Sequence, residues 1–119
     1  MRTESHRSER VASVIKRAVS VIVESEISDP RVEGVTVVDV TVTRDLKYAT
    51  VFVYIDGDNT DVLSALSGAA GFVRRRLAEM LSEMRYVPQI KFELDKTRSY
   101  YERIDTLIKG LHENDGNNE

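Results

Sequence analysis

Arg74, Arg75 and Arg76 follow the small-residue run Gly68-Ala-Ala-Gly71 after only Phe72 and Val73. Three forked guanidinium groups beside residues without bulk suggest one chemistry above others, the binding of phosphate. Leu63, Leu66, Ala70, Val73, Leu77, Leu81 and Met84 recur at spacings of three and four, the pattern of a helix with one buried stripe. Gly68 and Gly71 lie within that stripe, where each costs about 1 kcal/mol relative to alanine. The pair therefore predicts a kink at residues 68–71 or a close backbone approach. A helix restarting at Gly71 would offer free amide N–H groups and a positive dipole end to an anion. With about 3.6 residues per turn, Arg74 and Arg76 flank the face set by Val73 and Leu77 on opposite sides, and Arg75 points outward. The same three arginines also read as a solvated face pairing with Glu79 and Glu83.

No other cluster offers a reaction. His6 and His112 are the only histidines, and neither has a second histidine at metal-binding spacing. There is no cysteine, hence no thiol nucleophile, disulfide or cysteine-bound metal. The Gly-x-x-x-x-Gly-Lys-Ser/Thr and Gly-x-Ser-x-Gly patterns are absent. Asp56, Asp58 and Asp61 could hold a divalent ion, but read first as a solvated turn whose charge favours a helix N-terminus. The expectation is a protein without catalysis, cofactor, metal site or small-molecule substrate.

The elements that must hold these residues follow from periodicity. A first helix is predicted over residues 5–26, with Ser5 as N-cap and Val11, Val14, Ile15, Ala18, Val19 and Ile22 turned inward. Asp29-Pro30 stops it, because the residue before proline is pushed out of the α region. β-Branched runs at 35–43 and 48–56, joined by polar-rich residues 44–47, predict a hairpin. A loop at 56–60 caps the next helix, which kinks at 68–71 and continues to about residue 84. Pro88 opens a third strand, where Ile90, Phe92 and Leu94 alternate with Lys91, Glu93 and Asp95 to give one dry face. A last amphipathic helix over 99–111 carries Ile104, Leu107, Ile108 and Leu111. Phe52 and Tyr54 share a face of the second strand, where they either stack on bases or pack beneath that last helix.

The order α-β-β-α-kink-α-β, followed by a C-terminal helix, predicts an α+β two-layer sandwich, since a sheet with one dry face needs helices over it. This order resembles the type II KH fold, with the kink where its Gly-x-x-Gly loop lies. KH loops usually carry a basic residue in the middle, and here the middle is Ala69-Ala70. At 119 residues and 41% hydrophobic, a single domain buries about two-thirds of its unfolded surface. Residues 1–111 are read as that domain and 112–119 as a disordered acidic tail without an apolar residue to dock. The net charge of −3 argues against nucleic acid at first. Setting aside the tail's three acids leaves 17 Asp plus Glu of the 20, balanced by 17 Lys plus Arg. A neutral domain binds RNA when its charges are segregated on one face. Arg7, Arg10, Lys16 and Arg17 give the first helix a basic side, and Arg44 and Lys47 lie at the hairpin tip. Apolar runs are too short to span a membrane, and residues 1–10 lack the apolar stretch of a secretion signal. A soluble intracellular protein is expected.

Beyond fold, the chain resembles the ribosome-binding factor A family of bacterial assembly proteins. The signatures are Arg7 and Arg10-Val11, Asp29-Pro-Arg31, Val35-Thr-Val-Val-Asp-Val40 and Arg44-Asp-Leu-Lys-Tyr-Ala-Thr-Val-Phe-Val53. They continue in order through Ala69-Ala-Gly-Phe-Val-Arg74, Arg85-Tyr-Val-Pro88, Phe92-Glu-Leu-Asp95 and Arg103-Ile104. In this family an Ala-x-Gly kink replaces the KH loop, and Ala69, Ala70 and Gly71 match it. The resemblance implies a cytoplasmic, non-enzymatic monomer that binds the free 30S small ribosomal subunit late in assembly. It further implies support for 5′-end maturation of 16S rRNA, a role at low temperature, and rRNA contact near the decoding region and neck. The residues expected at that contact are Arg7, Arg10 and Arg17 of the first helix, Arg31, and Arg44 and Lys47 of the hairpin. Ala69, Ala70, Gly71, Arg74, Arg75 and Arg76 join them from the kinked helix, with Arg85 beyond it. The alternative is a KH-like protein-interaction module without RNA contact. Tyr101 stands where the family commonly has glycine, and the tail is short, so no role of a longer tail transfers.

Overall fold

The computed structural model describes residues 2–56 and 60–95, with residues 105, 107 and 108. Helix α1 (Arg2–Val21) sets Ile15, Ala18 and Val19 on one buried stripe, with Ile22 just beyond its end. Ser5 lies inside this helix, so it is not the expected cap. Val14 is 36% exposed, on the flank of the stripe and not in it. The chain then widens into a π-turn (Ile22–Glu26), where the Ser25 hydroxyl donates to the Val21 carbonyl at 2.6 Å. Asp29 caps a short 3-10 turn (Pro30–Val32) by accepting from the Arg31 N–H at 2.9 Å. Gly34, at φ +85°, supplies the left-handed residue that turns the chain into the sheet.

Strands β1 (Thr36–Val42) and β2 (Tyr48–Tyr54) form the expected hairpin. Strict alternation along β1 would bury Asp39 with Val37. A bulge between Val37 and Asp39 shifts the register, so that Val40 enters the core and Asp39 faces out. Strand β3 (Gln89–Leu94) runs parallel to β2, giving the sheet order β1-β2-β3. Parallel neighbours need a crossover, and helix α2 (Thr60–Met80) provides it. α1 packs over β1 and α2 over β3. Between helices and sheet, Ile15, Val19, Ile22, Val51, Val53, Leu66, Val73 and Leu77 are fully buried. Each leucine or isoleucine so buried contributes roughly 1.5–3 kcal/mol. The result is the two-layer α+β sandwich.

The expected break in the second helix is absent. α2 passes through residues 68–71 as continuous α-helix and ends at Met80, followed by turns to residue 84. Gly68 and Gly71 are exposed, not buried in the stripe. Among the described residues, a Cβ on Gly68 would meet nothing within 4 Å, and one on Gly71 only the Arg75 guanidinium at 3.8 Å. Neither glycine is demanded by a close approach. Gly68→Ala should therefore stabilise the fold by about 0.5–1 kcal/mol, read as a rise in Tm followed by circular dichroism.

The predicted last helix is represented by Asp105, Leu107 and Ile108, which are helical and exposed. The rest of 99–111, Asp58 and the acidic tail lie outside the described residues. No helix among the described residues is long and apolar enough to cross a membrane.

Candidate nucleic-acid interface

Four separate segments of the chain meet around a groove of about 660 Å³. Arg7 comes from α1, residues 45–48 from the hairpin tip, Arg74 from α2, and residues 84–87 with Gln89 from the approach to β3 and its first position. Four cations line it, Arg7, Lys47, Arg74 and Arg85, against the single acid Asp45.

The hairpin tip is built by local hydrogen bonds. Asp45 Oδ1 accepts from the Thr43 hydroxyl at 2.6 Å and the Lys47 N–H at 3.0 Å. These bonds, the hydroxyl's first, hold the Asp45 carboxyl below its ordinary range. The acid thus serves the turn. Leu46 sits at φ 62°, a left-handed conformation that costs a non-glycine residue roughly 1–2 kcal/mol. The tip is fastened to β3 by the Gln89 N–H, which donates to the Lys47 carbonyl at 2.9 Å.

Arg74 closes the opposite wall. Its Nε and Nη2 donate to the Val87 carbonyl at 3.3 and 3.2 Å, tying α2 to the segment before β3 while its charge stays at the groove. Two tyrosines complete the lining. Tyr48 is 58% and Tyr86 77% exposed, and the Arg85 guanidinium carbon lies 5.9 Å from the Tyr86 ring centre.

The remaining expected contact residues are placed elsewhere. Arg10 and Arg17 border a shallow depression with His6 and Glu9 on another face of α1. Arg44 is exposed at the tip but does not line the groove. Arg31 is held by Asp29, with Nη2 2.7 Å from Oδ2, and its own backbone N–H completes that clamp. Ala69 and Ala70 are half-buried and Gly71 exposed. Because α2 is continuous, their amide groups belong to the helix ladder, and the free-amide anion cradle expected at Gly71 does not form. Arg74 and Arg76 do flank the core face on opposite sides, with Arg75 exposed between them.

Arg76 is a scaffold residue. Its Nε lies 2.6 Å and its Nη2 3.2 Å from the two Glu26 carboxylate oxygens, joining α2 to the π-turn, and Nη1 is 3.7 Å from Glu79. The sequence alone predicts that changing Arg74, Arg75 and Arg76 to alanine leaves the fold intact. This ion pair revises that. The hydrogen bond from Arg76 holds the Glu26 carboxyl below its ordinary 4.5 and raises the arginine. A carboxyl with a lowered value lends stability that is complete above about 4.5 and lost as pH falls through the lowered value. Arg76→Ala should thus lower Tm by about 2–5 °C at neutral pH, with the gap from the parent narrowing below about pH 4.5. A gap that is the same at pH 3 and pH 7 would dismiss the ion pair as its cause.

Sequence reasoning missed Tyr48 and Tyr86 as surface features of the site. The available signal was Arg85-Tyr86 directly before Val87-Pro88, an arginine and an aromatic on a segment leading into a strand.

Fold and site together define a small α+β binding domain that gathers cations and aromatics at one groove. A family model described as ribosome-binding factor A matches residues 7–108. The ribosome-binding factor A of Caldanaerobacter subterraneus is 36% identical over 120 residues, covering 98% of each chain. The crystal structure of that factor from Thermus thermophilus superposes with a TM-score of 0.67 at 26% identity, over 73% of this chain and 94% of that one. A homology model of the Thermus thermophilus factor, fitted into a cryo-EM map of a 30S complex, gives 0.62 at 27% identity, over 71% and 91%. The chain belongs to the ribosome-binding factor A family.

Proposed function

We propose that this protein is a ribosome assembly factor that binds the free 30S small subunit through 16S rRNA, using the groove that Arg7, Lys47, Arg74 and Arg85 line. The observation that carries this reading is their convergence from four segments onto one site, in a chain whose Thermus relative is represented in a 30S complex. Phosphate contacts set position and need no sequence code, which suits a rigid wedge meeting folded rRNA. The role is binding without turnover, by a cytoplasmic monomer. It supports late maturation and 5′-end processing of 16S rRNA, including at low temperature. Residues 1–111 act as the binding unit, with 112–119 an acidic appendage.

Co-sedimentation of the purified chain with isolated 30S, 50S and joined ribosomes tests the reading. Comigration with free 30S alone is expected, as is release on RNase treatment. Retention by ribosomal proteins after RNase would favour a protein-interaction module.

A further inference from the structure

We infer that the groove holds one unpaired nucleotide of a single-stranded RNA segment, its base stacked on Tyr86 and its flanking phosphates met by Arg7, Lys47 and Arg74. The inference rests on the RNA-binding reading and adds what kind of RNA element the site takes. Tyr86 leaves 77% of its surface to solvent, and Tyr48 58%, although both line a concave site where apolar rings would ordinarily be covered. Arg85 stands over the Tyr86 ring at 5.9 Å, a cation–π spacing too short to admit a base between them, so a splayed base stacks on the part of the ring left open while the guanidinium adds positive charge beside it. Gln89 adds an amide at the same site, a donor and an acceptor suited to a base edge. The volume of about 660 Å³ falls within the range of small-ligand sites.

Charge selects RNA over a neutral ligand, and the rings select RNA over an acidic peptide. Four cations face one acid, and that acid is engaged with Thr43 and the Lys47 amide. An acidic peptide would satisfy the cations and leave Tyr86 and Tyr48 without a role. Stacking uses them, and every base has a face to offer. Duplex RNA keeps its bases paired inside the helix and presents phosphate and 2′-hydroxyl instead, which again would leave the rings idle.

The full chain is titrated with a single-stranded RNA hexamer carrying a central 2-aminopurine, and with the same strand in a duplex. Binding of the single strand with quenching of the 2-aminopurine fluorescence is expected, with the duplex bound more weakly. Tyr86→Leu should weaken the hexamer about tenfold and abolish the quenching, while Tyr86→Phe should preserve both. Circular dichroism and Tm of each variant are measured alongside, and at this exposed position no change is expected. Equal affinity for single strand and duplex, or a Tyr86→Leu protein that still quenches, overturns the inference. So does a poly-glutamate peptide that displaces the hexamer with equal affinity for the parent and Tyr86→Leu proteins. Co-sedimentation with 30S is read in parallel. A parent protein that binds 30S but not the hexamer loses this inference and keeps the assembly-factor reading, and one that binds neither loses both.

Discussion

Changing Arg7, Lys47 and Arg85 together to glutamine should lower the affinity for the 30S subunit by about 100-fold near physiological salt. The same change should flatten the dependence of log affinity on log salt by about 2 to 3 units, since each phosphate contact contributes roughly 0.7–0.9. Glutamine removes the charge and keeps a polar side chain that can still hydrogen-bond, so the salt dependence reports chiefly the lost charge. The three residues are chosen because the fold does not need their charge. Their side chains form no ion pair among the described residues, and all three lie outside the buried core. Arg74 is left in place because it also holds the Val87 carbonyl. A matched variant changes Arg10, Arg17 and Arg44, which carry the same total charge but lie outside the groove. The matched variant should lose far less affinity. If it loses more, the RNA-facing surface is the outer side of α1, and the groove is not the site.

That the groove had to be found in the structure has a physical reason. Patterns of period two and of three to four residues report one element at a time, and they located α1, the hairpin, α2 and β3 because each buries one face. The β1 bulge escaped them because Val37, Val38 and Val40 fit either register, and only the position of Asp39 hints that the parity must switch. The kink failed for a matter of magnitude. Two glycines penalise a helix by about 2 kcal/mol in all, which burial of Leu66, Val73 and Leu77 outweighs. Helical geometry gave the directions of Arg74, Arg75 and Arg76 but not their partners. Glu26 is 50 residues from Arg76, and Val87 is 13 from Arg74, so which arginine serves the scaffold and which the surface depends on non-local packing. Spacing along the chain could assign phosphate chemistry to the cluster. It could not separate the residue that braces α2 from those left to meet a ligand.

The other large effect is expected in the core. Leu77→Ala should destabilise the protein by about 3 kcal/mol, a large part of the 5–15 kcal/mol typical of a domain. Leu77 has no exposed surface and lies one turn beyond the fully buried Val73 on the inner face of α2. Its truncation leaves a cavity in a core where Val19, Val51 and Val73 are also fully buried, and close packing lets the surroundings fill it only in part. Urea unfolding should show a lower midpoint with an unchanged slope, the mark of lost stability without a changed unfolded state. Leu77→Met, which nearly conserves volume, should cost under about 1.5 kcal/mol. The two large predictions then separate cleanly by readout. Leu77→Ala shifts the folded fraction, yet its folded molecules keep the groove cations, so their salt dependence on the 30S subunit should match the parent. The glutamine variant keeps its midpoint and loses the slope. A core variant whose folded molecules show a flattened slope would mean that the groove depends on α2 packing more finely than the rigid sandwich implies. In that case the Arg74 bond to Val87, which spans helix and strand approach, is the first contact to test.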